Sequence, residues 1–448
     1  MKTGRFQILL ITAFVLISFS NSTSINNGDW LRVTYMGGFS PEPWSPLTSS
    51  YPFIGNIHLG HSTTMGLIIG LIAAVIRDLS SSSFISALSI SALYLIFISG
   101  LIRISNLRSI KHSRSLSFLL LLIYFFYGFY FKSFFEEASI LAFLPWFCLG
   151  YFEVTQNHRF LIFNLSSFAI IYSKQQMIFL SPILIMLLIF HSLNSQKKRP
   201  ILISAAVVLF ATLSTLNSKH SSNRYPNQYN RYYNGIGWSW MNAHSWPAKT
   251  FNERALYFYN HQAALVQKLP QELDHEFIGT NFWPTGAALA EQSKSEISTS
   301  EPQKKNKIET LVDSGAIVPY LSYFIHHPKF VFQFIKNTYL ITLQSDYSLE
   351  YIRTDVFMTS HFMKALQKTR AFLLGHITQI CAVSLLILVF AIPNLPITLV
   401  SLWFALMPIF VTMGDGYYEF EKHLVPFLML IPFLVSVALS FKQMKHSK

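Results

Sequence analysis

The chain has 448 residues, 51% of them hydrophobic, 16% aromatic and only 12% charged, with a mean hydropathy of +0.37. So few charges cannot cover the surface of a soluble protein of this length, so the composition excludes a soluble class and indicates an all-α polytopic membrane protein. The formal charge of +13 comes from short basic clusters beside apolar runs, the distribution of topology determinants, so no nucleic-acid partner is expected.

In chain order, Lys2 and Arg5 precede an apolar run at 6–20, which suits a signal anchor or a cleavable signal peptide. The many later spans favour an uncleaved first helix, with residue 21 onward outside the cytoplasm. Residues 21–62 are polar, aromatic and rich in Pro and Gly, and form a first external loop containing Asp29 and Arg32. The apolar stretch at 63–76 is short of the roughly 20 residues that a crossing needs. If it crossed, Arg103, Arg108, Lys111 and Arg114 would sit outside, against the positive-inside bias, so 62–78 is expected to lie in the external interface as a juxtamembrane helix. Crossings are then expected at 83–102, 115–131, 138–153, 159–173, 176–190 and 200–217, completing an N-terminal membrane module over 1–217. A long external region at 218–370 should contain helices, with the polar stretch 291–307 as an excursion. Crossings at 371–391, 395–411 and 424–441 complete the C-terminal part, 371–448, for about ten transmembrane helices with both termini cytoplasmic.

Under this topology ionisable groups from four places in the sequence reach the external face. They are Asp29; Glu136 and Glu137; Lys174 with Gln175 and Gln176; and the turn holding Asp415, Glu419, Lys422 and His423. Each has a plain structural reading as well. Asp29 follows Gly28 as a turn residue would, Glu136 and Glu137 suit a helix start, and Lys174 suits an interfacial anchor. Together they make a mixed acid and base set with no acids at mid-membrane depth. A carboxylate there could take a proton from an acceptor hydroxyl, and Lys, Arg or His could bind a leaving phosphate. No metal site is expected, because His423 has no second His or Cys at ligand spacing and His326–His327 are adjacent. Cys148 and Cys381 lie inside apolar runs and suit small core residues.

The order of these features resembles the GT-C-type polytopic glycosyltransferases of bacterial surface-glycan pathways. The resemblance rests on Asp29 followed by Arg32; Ser133-Phe134-Phe135-Glu136-Glu137-Ala138; Ser173-Lys174-Gln175-Gln176; and Gly414-Asp415-Gly416 through Glu419, Lys422 and His423. It departs from the family at Glu136, where a Gly is usual, so Glu137 is the matching acid, and at Gln175, where a Pro is often seen. The resemblance implies a GT-C-like helical fold in the bacterial inner membrane with a periplasmic catalytic face. It further implies a polyprenyl-phosphate-linked sugar donor and a glycan or lipid-linked acceptor, as in surface polysaccharide biosynthesis. Asp29 would be the general base or acceptor-orienting acid, and Lys174, Lys422 and His423 would bind the donor phosphate. Glu137, Asp415 and Glu419 would position sugar or partner cations, with Arg32, Glu136 and Gln176 as further substrate-binding residues. A divalent cation is compatible with such a site but not required by it. Two other readings stand beside this one: an oligosaccharide polymerase or ligase, and a polysaccharide transporter or flippase. The absence of a visible internal repeat counts against the transporter, and no nucleotide-binding fingerprint occurs.

Overall fold

The computed structural model describes residues 3–20, 63–76, 82–107, 113–132, 136–193, 198–217, 325, 328–344, 395–415 and 420–446. These residues are nearly all helical, with no strand among them. The helices are α1 (Thr3–Ser20), α2 (Thr64–Ile76), α3 (Ser82–Ser105), α4 (Ser113–Tyr127), α5 (Glu136–Asn157), α6 (Leu161–Ile171), α7 (Ser181–Leu193), α8 (Lys198–Asn217), α9 (Pro328–Gln344), α10 (Leu395–Asp415), α11 (Phe420–Met429) and α12 (Ile431–His446). Tight 3₁₀ turns at Gly128–Lys132 and Gln175–Leu180 lead out of α4 and into α7. Among the described residues, six helical segments are long and apolar enough to cross a membrane: 87–105, 136–157, 175–193, 198–216, 395–412 and 423–440. The expected span at 371–391 and most of 218–370 lie outside the described residues.

Three of the expected spans are interrupted, and the sequence supplies a cause for each. Gly128 follows α4 and loosens the helix into the 3₁₀ turn. Pro182 has no N–H to return to Ile178, whose carbonyl is instead met by the Ser181 N–H, so α7 restarts after a tight turn. Pro432 likewise cannot continue α11, and Leu430 N–H bonds Phe427 O at 2.9 Å as α12 begins.

Lipid tails are as apolar as leucine, so close packing and interhelical hydrogen bonds must hold such helices together. α5 is buried along most of its length and is the central member. Gly100 of α3 lets it approach α5 so closely that an added Cβ would lie 2.8 Å from Pro145, and the Trp146 indole N–H donates to Ile96 O at 2.7 Å across the same contact. Gly150 does the same towards α6, where a Cβ would stand 2.6 Å from the Phe163 backbone. Phe14, Tyr94, Phe97, Tyr124 and Phe131 join α1, α3, α4 and the first 3₁₀ turn, with Phe14 and Tyr124 centroids 4.7 Å apart.

Contacts along the helices fix their directions. Arg114 stands over the Phe6 ring and Ser18 Oγ is 2.6 Å from Tyr124 Oη, so α1 and α4 run parallel. Gln7 Nε2 donates to Asn106 Oδ1 at 2.6 Å, so α3 runs against α1. Ser139 meets Ser173, and α5 thus starts where α6 finishes. α8 ends beside the same turn, with Thr212 Oγ1 2.6 Å from Ser181 Oγ. One end of the bundle therefore gathers the end of α1, the start of α5, the end of α6 and the start of α11. The opposite end carries exposed Arg5, Arg103, Arg114, Arg159, Lys198 and Arg199. α2 starts at the first end, where Thr64 N–H bonds Tyr172 O at 3.3 Å. Its 13 residues rise about 20 Å against roughly 30 Å of hydrocarbon.

Candidate functional site

Helix α5 opens with Glu136 and Glu137, two acids in the first turn, where four backbone N–H groups and the helix dipole favour negative charge. The Glu137 side chain is 2% exposed and meets the Lys174 ammonium, itself 11% exposed, in a charge-assisted hydrogen bond between Nζ and Oε1. Two such ions out of water are tolerable because each neutralises the other. Lys174 is reached because the chain runs extended there, with φ −151° and ψ 141°, between α6 and the second 3₁₀ turn. Its carbonyl then accepts the Met177 N–H at 2.8 Å, closing the turn.

Two residues further on, Gln176 Nε2 lies 2.5 Å from Nδ1 of His423 in the first turn of α11. This contact ties the second 3₁₀ turn to α11 through two side chains 247 residues apart in the sequence. His423 is buried to 9% exposure. The turn is held from behind by α10, where the Trp403 indole N–H donates to Phe179 O at 2.6 Å and Phe410 stacks on Phe179 with centroids 4.9 Å apart.

The structure thus joins Glu137 to Lys174 and Gln176 to His423, side chains from three separate parts of the sequence at one end of the bundle. Of the two adjacent acids, Glu137 is the one that meets Lys174; Glu136 is buried beside it. Asp415 closes α10 and Lys422 lies in the first turn of α11, and only their backbones are described. Asp29, Arg32 and Glu419 lie outside the described residues. Among the described residues no group of three or more His, Cys, Asp or Glu side chains could hold a metal ion.

Two polar residues at this end, Thr64 and Ser139, went unremarked in the sequence, and Ser173 was named there only as part of the Lys174 motif. Their signal was faint, lone hydroxyls within two residues of a charge or at a helix start. The pairing at Lys174 makes a charged, hydrogen-bonding cluster able to meet an anion or to hold a sugar hydroxyl. Compared with family models, curated proteins and solved structures, the chain matches none.

Proposed function

We propose that the protein is a membrane glycosyltransferase that moves a sugar from a polyprenyl-phosphate-linked donor to a glycan or lipid-linked acceptor. The acceptor oxygen bonds to the anomeric carbon as the bond from that carbon to the phosphate oxygen breaks, and the electron pair leaves with the lipid phosphate. Asp29 takes the acceptor proton or orients its hydroxyl. Lys174, with Lys422 and His423, meets the negative charge that grows on the leaving phosphate. Glu137 keeps Lys174 placed until that anion arrives, while Asp415 and Glu419, with Arg32, Glu136 and Gln176, address the sugar and its partners.

The observation that supports this reading most directly is the Glu137–Lys174 pair beside the Gln176–His423 pair, assembled from α5, the second 3₁₀ turn and α11. The exposed basic residues at the opposite end support a cytoplasmic assignment for that end, and hence an external site; that the membrane is a bacterial inner membrane and the site periplasmic rests on the family resemblance alone. On the same reading α2 is a juxtamembrane helix in the external interface. With the shorter apolar helices α1, α4 and α6 and the run 371–391, the six long segments give about ten crossings.

The test is the surface glycan of cells carrying the wild-type chain or Asp29→Asn, together with transfer from a synthetic polyprenyl-phosphate sugar by the purified protein. The expected result is loss of one defined sugar residue in cells and of transfer in vitro, and a similar loss for Lys174→Met. An unaltered glycan with both variants would discard the assignment; accumulation of the finished glycan on the inner side would favour a flippase.

A further inference from the structure

Beneath the ion pair lies a hydroxyl cluster with no part in the scheme so far. Ser139 on α5 and Ser173 at the end of α6 are both fully buried, and their Oγ atoms are 2.7 Å apart. Ser139 Oγ is also 2.7 Å from Glu136 O, and Ser173 Oγ is 2.5 Å from Ala169 O. Thr64 Oγ1, from the start of α2, donates to the same Ala169 carbonyl at 2.6 Å.

Each serine hydroxyl has one proton to give and two lone pairs to receive. The two serines therefore have two protons for three contacts. Either Ser139 donates to Ser173, which donates to Ala169, or Ser173 donates to Ser139, which donates to Glu136. The bond between the two serines is present in both arrangements, and only the carbonyl served changes. Serines that bond a carbonyl one turn back in their own helix are ordinary. The bond across helices, and a third hydroxyl sharing its acceptor, are not explained that way. Ser139 stands two residues after Glu137 and Ser173 immediately before Lys174, so this bond ties together the two peptides that carry the ion pair.

We infer that Ser139 and Ser173 are positioning residues. Their mutual hydrogen bond sets the spacing between the first turn of α5 and the Lys174 turn, and so the place at which Glu137 holds the ammonium. Thr64 extends the same fastening to α2, and through it to the chain that follows the first loop. The effect on sugar transfer rests on the transferase reading; the fastening itself does not.

The experiment uses the full-length protein with Ser139→Ala and Ser173→Ala together, treated briefly with an amine-reactive ester and read by mass spectrometry at Lys174, with exposed Lys198 as the internal reference. Labelling of Lys174 is expected to rise about five-fold, the equilibrium factor for losing one neutral hydrogen bond. In the transfer assay kcat is expected to fall with the KM for the donor unchanged, a split that general loosening of the fold would not give. Labelling that stays at the wild-type level overturns the inference. Should the double variant fail to fold, Ser139→Ala alone, which leaves the Ser173–Ala169 bond in place, is expected to give a rise in the same direction, and a flat result again overturns it. Raised labelling in a protein whose wild type transfers no sugar supports the fastening and counts against the transferase reading alone.

Discussion

A carboxylate and an ammonium taken out of water each lose several kcal/mol of hydration, and Glu137 and Lys174 offset that loss only by touching. Removing one partner is therefore worse than removing both. Glu137→Gln should cost about 3–5 kcal/mol by stranding the Lys174 charge, whereas Glu137→Leu with Lys174→Met should keep stability near wild type. Unfolding of the purified protein in denaturing detergent reads the difference; equal losses from the single and double changes would show that the pair is solvated rather than buried. On the transferase reading, sugar transfer should vanish in both, which would separate stability from function at the same two residues. Which residues would be charged was plain in the sequence, since ionisable side chains interrupt apolar runs so seldom. Their pairing was not: Glu137 lies in α5 and Lys174 in the extended link after α6, and the choice of partner depends on how α5 and α6 pack.

At the scale of the helix, small residues decide how close two axes come. A methyl group at Gly150 would stand 2.6 Å from the Phe163 backbone, which cannot swing aside as a side chain can. Gly150→Ala should therefore destabilise the protein by about 1–3 kcal/mol, in spite of the roughly 1 kcal/mol that alanine gains over glycine within a helix. Gly4→Ala, where the added Cβ meets nothing within 4 Å, should show the helix-propensity gain alone, or no change. Thermal unfolding of the two variants side by side makes the comparison, and a stable Gly150→Ala protein would mean that α5 and α6 are less tightly joined. The apolar runs gave away most helices because a membrane span has a required length and composition. They did not give away the breaks at Pro182 and Pro432, since a proline in an apolar run can kink a helix or end it, and neighbouring packing decides which. The short span expected at 159–173 is an 11-residue helix, α6, whose length is about 17 Å.

For the whole molecule, the polarity of the bundle is the feature with the widest consequence. Asn106 is exposed at the basic end and Gln175 at the end that holds Lys174. In a chain with Cys148 and Cys381 replaced by alanine, single cysteines at these two positions should react with an impermeant reagent from opposite sides, the first from inside and the second from outside. Reaction of both from one side would break the transferase topology at its foundation. The distribution of basic residues made this polarity legible early, because lysine and arginine near span ends act through charge alone and need no knowledge of packing. The disposition of α2 was harder to read, since 13 apolar residues fit an interface, a partial insertion or a core helix equally well by composition.

The indole of Trp403 and the ring of Phe410 hold the second 3₁₀ turn from one flank while α5 holds it from the other. A loop clamped on two sides has no slack with which to wrap around an arriving molecule. On the transferase reading, a donor reaching Lys174 and Gln176 would meet them already set, so this turn would contribute shape and reach to selectivity.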